Sequence, residues 1–156
     1  MKDINNVLPF GNTVTVVYVK GSALLEALEA STFACPDQLG GFPQISGTNI
    51  TIDTTKAFDA GDLYPSSTYH APASIKRVTI NDVNGKPFDP DATYAVVTND
   101  FVAAGGDTYY SFASSNTSFD TGYMLDDVLC QYIKEVCNGV LDESNTKIDG
   151  RIKIIQ

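Results

Sequence analysis

The run Thr13-Val14-Thr15-Val16-Val17-Tyr18-Val19 limits what this chain can fold into more than any other stretch. Six of its seven residues are β-branched; such side chains crowd a helix and suit a pleated surface, so the run reads as a strand. Gly11 and Gly21 bound it, and from Ser22 to Glu29 the apolar residues Ala23, Leu24, Ala27 and Leu28 recur at helical spacing. A strand that passes directly into a helix, with further strands after it, points to a domain that mixes the two, and the lack of a regular βαβ period favours α+β over a doubly wound parallel sheet.

Asn49–Ile52 and Ile75–Ile80 read as further strands, the second alternating Ile75, Arg77, Thr79 against Lys76, Val78, Ile80. Between them, Thr54–Ser74 holds mixed polar residues and prolines and is expected to be a long surface excursion. Asn84-Gly85 marks a tight turn that sends the chain back through a strand at Tyr94–Thr98, after which a turn carries Phe101. A polar loop, Ser114–Thr117, leads to an amphipathic helix whose stripe is Met124, Leu125, Val128, Leu129, Tyr132, Ile133 and Val136. Thr121 is expected to cap its start and Gly139 to stop it. The tail Ile148–Ile155 is expected to close as a strand through Arg151-Ile152-Lys153-Ile154. Strands and helices interleave without a regular βαβ period, which predicts a mixed α+β domain in one unit, residues 1–156.

At 156 residues the chain can bury roughly two thirds of its unfolded surface. Its 43% hydrophobic and 19% charged composition is that of an ordinary globular domain. A net charge of -9 opposes binding to a nucleic-acid polymer or an anionic membrane, which Lys and Arg clusters hold. A single nucleotide stays compatible, because its base and ribose are neutral. No uninterrupted run of about eighteen apolar residues occurs, and Met1-Lys2-Asp3-Ile4 lacks a signal-peptide pattern. The expectation is therefore an excised domain with Met1 an added start, without a membrane span. Of the three cysteines, Cys130 and Cys137 lie seven apart on a helix, roughly 10 Å, too far for a disulfide. Three reduced, mostly buried thiols are expected, and no Cys-x-x-Cys pair or histidine cluster suggests zinc.

Two segments set an aromatic ring beside glycine and a short polar side chain: Leu8-Pro9-Phe10-Gly11-Asn12 and Asn99-Asp100-Phe101-Val102-Ala103-Ala104-Gly105-Gly106-Asp107. Rings in such turns have few core neighbours and can clamp a flat ligand. On residue type alone Phe10 reads as a core residue, Asn12 as a turn cap and Asp107 as a cap after Gly105-Gly106. The glycine pair fits no phosphate-loop pattern and reads as backbone passing close to a ligand.

With these segments in order, with Gly40-Gly41-Phe42-Pro43-Gln44-Ile45-Ser46-Gly47, with Gly85-Lys86-Pro87-Phe88-Asp89-Pro90 followed by Tyr94, and with Gly150-Arg151-Ile152, the chain resembles the C-terminal, substrate-specificity domain of the 5'-nucleotidases and UDP-sugar hydrolases. The resemblance covers nearly the whole chain. It implies layered mixed sheets with helices packed outside, and a nucleobase held between Phe10 and Phe101. It also implies Asn12 near the ligand and Asp107 on the ribose hydroxyls. Stacking contributes about 1–3 kcal/mol per base with little selectivity; selectivity falls to Asn12, which has donors and an acceptor, and to Asp107, which only accepts.

The resemblance further implies an N-terminal metallophosphatase domain, absent here, whose two divalent metal ions carry out hydrolysis. This chain alone is expected to need no cofactor and to be inactive. Its partners would be a nucleoside or nucleotide and that N-terminal domain, in an extracytoplasmic enzyme. An alternative reading is a freestanding secreted module whose open aromatics meet a sugar or a protein. His70, the single histidine, reads as a solvated loop residue, and Asp89-Pro90-Asp91 and Asp82-Val83-Asn84-Gly85 read as turn chemistry. Tyr109 and Tyr110 are candidates for walls of the ligand slot or for the core.

Overall fold

A computed structural model describes residues 2–115 and 117–156. Met1, read above as an added start, lies outside them, as does Asn116 of the polar loop. A short helix α1 (Lys2–Val7), not anticipated in the sequence, precedes β1 (Thr13–Lys20), which runs straight into α2 (Gly21–Ser31). Next come β2 (Thr48–Asp53), the pair β3 (Ala60–Leu63) and β4 (His70–Pro72), then β5 (Val78–Val83), β6 (Lys86–Pro87) and β7 (Thr93–Asn99). The one-turn helices α3 (Asp100–Ala103) and α4 (Tyr110–Ala113) lead to β8 (Ser118–Met124), α5 (Leu125–Glu135) and β9 (Ile152–Ile155).

The strands form an antiparallel sheet ordered β7-β1-β8, a mixed sheet ordered β6-β5-β2-β9, and the small β3-β4 hairpin. The β-branched run occupies the middle of the first sheet, where Thr15, Val17 and Val19 point inward and the intervening Tyr18 is exposed. In the second sheet Ile50 and Ile52 are completely buried, and β9 adds in parallel to β2, so the tail does close the sheet. Helix α2 packs against both sheets through Leu24, Ala27 and Leu28, giving one core that also takes in Tyr109 and Phe112. The α+β expectation therefore holds.

The start of α2 has no side-chain cap. Instead its first amides are satisfied by the turn before β7, Gly21 N–H donating to Ala92 O at 2.9 Å and Ser22 N–H to Pro90 O at 2.8 Å. A Cβ on Gly21 would strike the backbone of Asp89 and Pro90, so only glycine permits this approach. Asp89 Oδ1 accepts from Asp91 N–H and Asp82 Oδ1 from Gly85 N–H, the turn roles expected of both.

Several local expectations are corrected. The strand expected at Ile75–Ile80 begins only at Val78, because the amides of Lys76, Arg77 and Val78 are taken by the carboxylate of the fully buried Glu29. The buried Arg77 guanidinium donates to the carbonyls of Thr32, Phe33 and Cys35, which ties the end of α2 to the start of β5. The Thr54–Ser74 excursion carries its own hairpin, anchored by buried Tyr64, whose hydroxyl donates to Glu26 Oε1 at 2.9 Å. His70 sits exposed in β4 with Nδ1 2.7 Å from Gly61 O. Thr121 does not cap α5: it lies within β8, accepts from Tyr123 N–H and donates to Val14 O, while α5 begins after Met124. Gly139, expected as the stop, lies past the end of α5 at Glu135: the chain first turns left-handed at Asn138, φ 52°, and Gly139, φ +82°, follows with its N–H reaching back to Ile133 O. The stripe of α5 is amphipathic but none of its residues is buried. Cys35 is buried, whereas Cys130 and Cys137 on or just past α5 are only half-buried, and all three are free thiols.

Candidate functional site: an open aromatic cleft

A cleft of about 1200 Å³ opens beside β7. Phe10, Asn12, Phe101 and Asp107, chosen from sequence, all line it, although 97 positions separate the first and last. Leu24, Leu28 and Phe112 lie at its base, and the segment Gly40–Gly47 forms another wall. Among the described residues that line it, none is Lys or Arg.

Phe10 follows Pro9, which stiffens the approach, and precedes Gly11 at φ +64°, which turns the chain into β1. Its ring is 86% exposed. Phe101, expected in a turn, sits on α3, whose start is capped by Asn99 Oδ1 accepting from Val102 N–H at 2.7 Å. Its ring is 51% exposed, against 3% for the core residue Phe112. Gly106 backs the Phe101 ring, since a Cβ there would overlap ring atoms Cδ1, Cε1 and Cζ. The Gly105-Gly106 pair therefore exists for Phe101 and, through Gly105 at φ +90° against Tyr110 and Ala113, for α4.

Asp107 follows at φ 51°, with its carboxylate beside Gly41, where an added Cβ would lie 3.3 Å from Oδ2. Tyr109, buried, donates its hydroxyl to Gly41 O at 2.8 Å and so pins the Gly40–Gly47 wall. Burial first, then the nearby Asp107 charge, pushes the Tyr109 phenol up to about 12. Tyr110 instead turns away and stacks on Tyr64 at 5.0 Å.

Sequence reasoning missed Asp100. Its Oδ1 accepts from Asn12 Nδ2 at 2.7 Å and from Thr13 N–H at 3.2 Å, joining the Phe10 turn to the Phe101 helix. One of the two N–H groups of Asn12 is therefore already engaged, which leaves the second N–H and Oδ1 for a ligand. The available signal was Asn99-Asp100, an N-cap residue followed by an acid in the first turn of a helix.

Among the described residues no three His, Cys, Asp or Glu side chains converge in a group that could hold a metal ion. No helix among them is long and apolar enough to cross a membrane.

Residues 1–114 match the family model described as 5'-nucleotidase, C-terminal domain. The chain is 32% identical over 153 residues to the trifunctional nucleotide phosphoesterase protein YfkN of Bacillus subtilis (strain 168), covering 97% of this chain and 9% of that protein. It is 25% identical to the snake venom 5'-nucleotidase of Macrovipera lebetinus over 99% of this chain and 35% of the relative. Among solved structures it resembles the 5'-nucleotidase precursor from Thermus thermophilus with a TM-score of 0.76 and 30% identity, covering 98% of this chain and 27% of that one. The chain thus spans only a minor part of the length of these relatives. With a family model over most of the chain and a shared fold over nearly all of it, this chain belongs to the 5'-nucleotidase C-terminal domain family.

Proposed function

We propose that this domain holds the base and ribose of a nucleotide for a phosphate-ester hydrolase of the 5'-nucleotidase or UDP-sugar hydrolase type. Phe10 and Phe101 clamp the base, Asp107 accepts from the ribose hydroxyls, and an N-terminal domain elsewhere in the protein supplies the metals and the hydrolysis. The observation that carries this reading is the meeting, in one open cleft, of two rings that the fold leaves exposed at 86% and 51%. Large aromatic rings left in water beside a cleft lose the stabilisation of burial, about 1.5–3 kcal/mol each, and a stacked base would recover much of it.

The absence of Lys and Arg from the described lining favours a neutral nucleoside portion over the phosphates as the part held here. A monophosphate and a nucleotide sugar present the same nucleoside, so one site serves both. An extracytoplasmic setting draws its support from the venom relative.

The test is a titration of the folded domain with adenosine, uridine and AMP, followed by backbone and aromatic NMR shifts. Weak binding of all three, with AMP no tighter than adenosine and the largest shifts at Phe10, Phe101 and Asp107, is the expected result. If none of the three perturbs those residues at millimolar concentration, the reading fails.

A further inference from the structure

Asp100 controls which end of the Asn12 amide is available. An ionised carboxylate only accepts, so the end turned toward it must be the NH2 group. Asn12 Nδ2 donates to Asp100 Oδ1 at 2.7 Å, and the Thr13 N–H, at 3.2 Å, holds the same oxygen in place. The Asn12 amide, followed by backbone N–H groups, keeps the Asp100 carboxyl below its ordinary range, so it is ionised at neutral pH. Asn12 Oδ1 makes no side-chain hydrogen bond among the described residues, and Asn12 lines the cleft.

We propose that Asp100 is a positioning residue that fixes Asn12 as a hydrogen-bond acceptor, so that the cleft prefers bases whose facing edge carries an N–H donor. This rests on the nucleoside reading above. The amino group of adenosine and the ring N–H of inosine meet an acceptor; purine riboside has neither, and its ring nitrogens would confront Asn12 Oδ1 with no proton between them. Leaving two acceptors opposed removes a hydrogen bond and desolvates both atoms, which works against the analogue. A free asparagine would turn its amide end for end and bind either kind of edge. The locked one keeps one N–H on Asp100 and cannot turn Oδ1 away, so an acceptor facing that oxygen stays opposed.

Two measurements separate the lock from the ligand. In the ligand-free domain, the side-chain amide resonances of Asn12 are followed as pH falls. They are expected to shift in one step with a midpoint below the ordinary aspartate value of about 3.9, and Asp100→Asn is expected to abolish that step. An Asn12 amide indifferent to pH in the folded wild type overturns the lock whatever binds. In the second measurement adenosine, inosine and purine riboside are titrated by NMR. Wild type should bind purine riboside about three- to tenfold more weakly than the other two. Asp100→Ala, checked for folding by thermal melting, should bring the three within about twofold of one another. Asp100→Asn, whose amide oxygen can still accept from Asn12, should keep part of the preference. A wild type that binds all three equally, or an Asp100→Ala domain that still discriminates, overturns the proposal. A wild type that binds no nucleoside overturns the nucleoside reading and the selectivity with it, while the pH step still decides whether Asp100 holds Asn12.

Discussion

Gly106→Ala is the substitution that most directly tests how the cleft is built. A Cβ at Gly106 would lie 2.6 Å from Phe101 Cδ1 and closer still to Cε1 and Cζ. Carbon atoms in contact settle near 3.5–4.0 Å, so the ring must retreat by about 1 Å or more. Gly106 is not among the positive-φ residues, and alanine there should gain about 0.4–1 kcal/mol from a stiffer unfolded chain. Against that stands the displaced ring, whose off-rotamer cost is about 0.5–1.5 kcal/mol; being half exposed, it has solvent to move into. The two terms nearly cancel, so thermal stability should change little. Binding should not survive so well, because a shifted ring forfeits most of its stacking contribution of about 1–3 kcal/mol. The assay is a melt, the aromatic NMR spectrum and an adenosine titration on one sample. Phe101 ring resonances that match wild type, with unchanged affinity, would falsify the packing of ring on glycine. A large loss of stability would show instead that the ring cannot yield and belongs to the core.

The exposure of the two rings predicts that Phe10→Ala and Phe101→Ala each abolish detectable nucleoside binding while moving the melting temperature little, whereas Phe112→Ala, at 3% exposure, loses about 3–5 kcal/mol of stability. Equal destabilisation by all three in chemical denaturation contradicts this. Glu29→Ala would strand the amides of Lys76, Arg77 and Val78 without an acceptor and should cost about 3 kcal/mol or more, read from urea midpoints. A midpoint close to wild type shows that those amides find other partners. Because burial raises the Tyr109 phenol to about 12, the folded state binds its proton more tightly than the unfolded chain does. Stability from this group is complete below about pH 10 and is lost as pH climbs toward 12. Tyr109→Phe should therefore flatten the alkaline limb of stability against pH, and a limb as steep as wild type assigns the loss elsewhere.

The β-branched run at Thr13–Val19, the adjoining stripe of α2 and the Ile50–Ile52 strand are written locally, because side-chain branching and periodicity act on the residues that carry them. The open rings of Phe10 and Phe101 were legible only in part: flanking Pro9, Gly11 and the glycines after Phe101 suggest uncovered backbone, but residue type alone placed Phe10 in the core and the family resemblance decided for the clamp. What fell outside that reach depends on partners far along the chain. Ile75–Arg77 has strand-like residues, yet a carboxylate some 48 positions away at Glu29 takes the amides a strand would use. Thr121 looks like a cap until β8 pairs with β1 and draws its hydroxyl to Val14. Asp100 resembles any acid in the first turn of a helix, and only the fold, by setting it 2.7 Å from Asn12 across 88 positions, makes it the link between the two aromatic turns. Local sequence determined which segments extend and which coil. Long-range hydrogen bonds, strong only when both groups are held together away from water, decided where the strands begin and how the cleft is held.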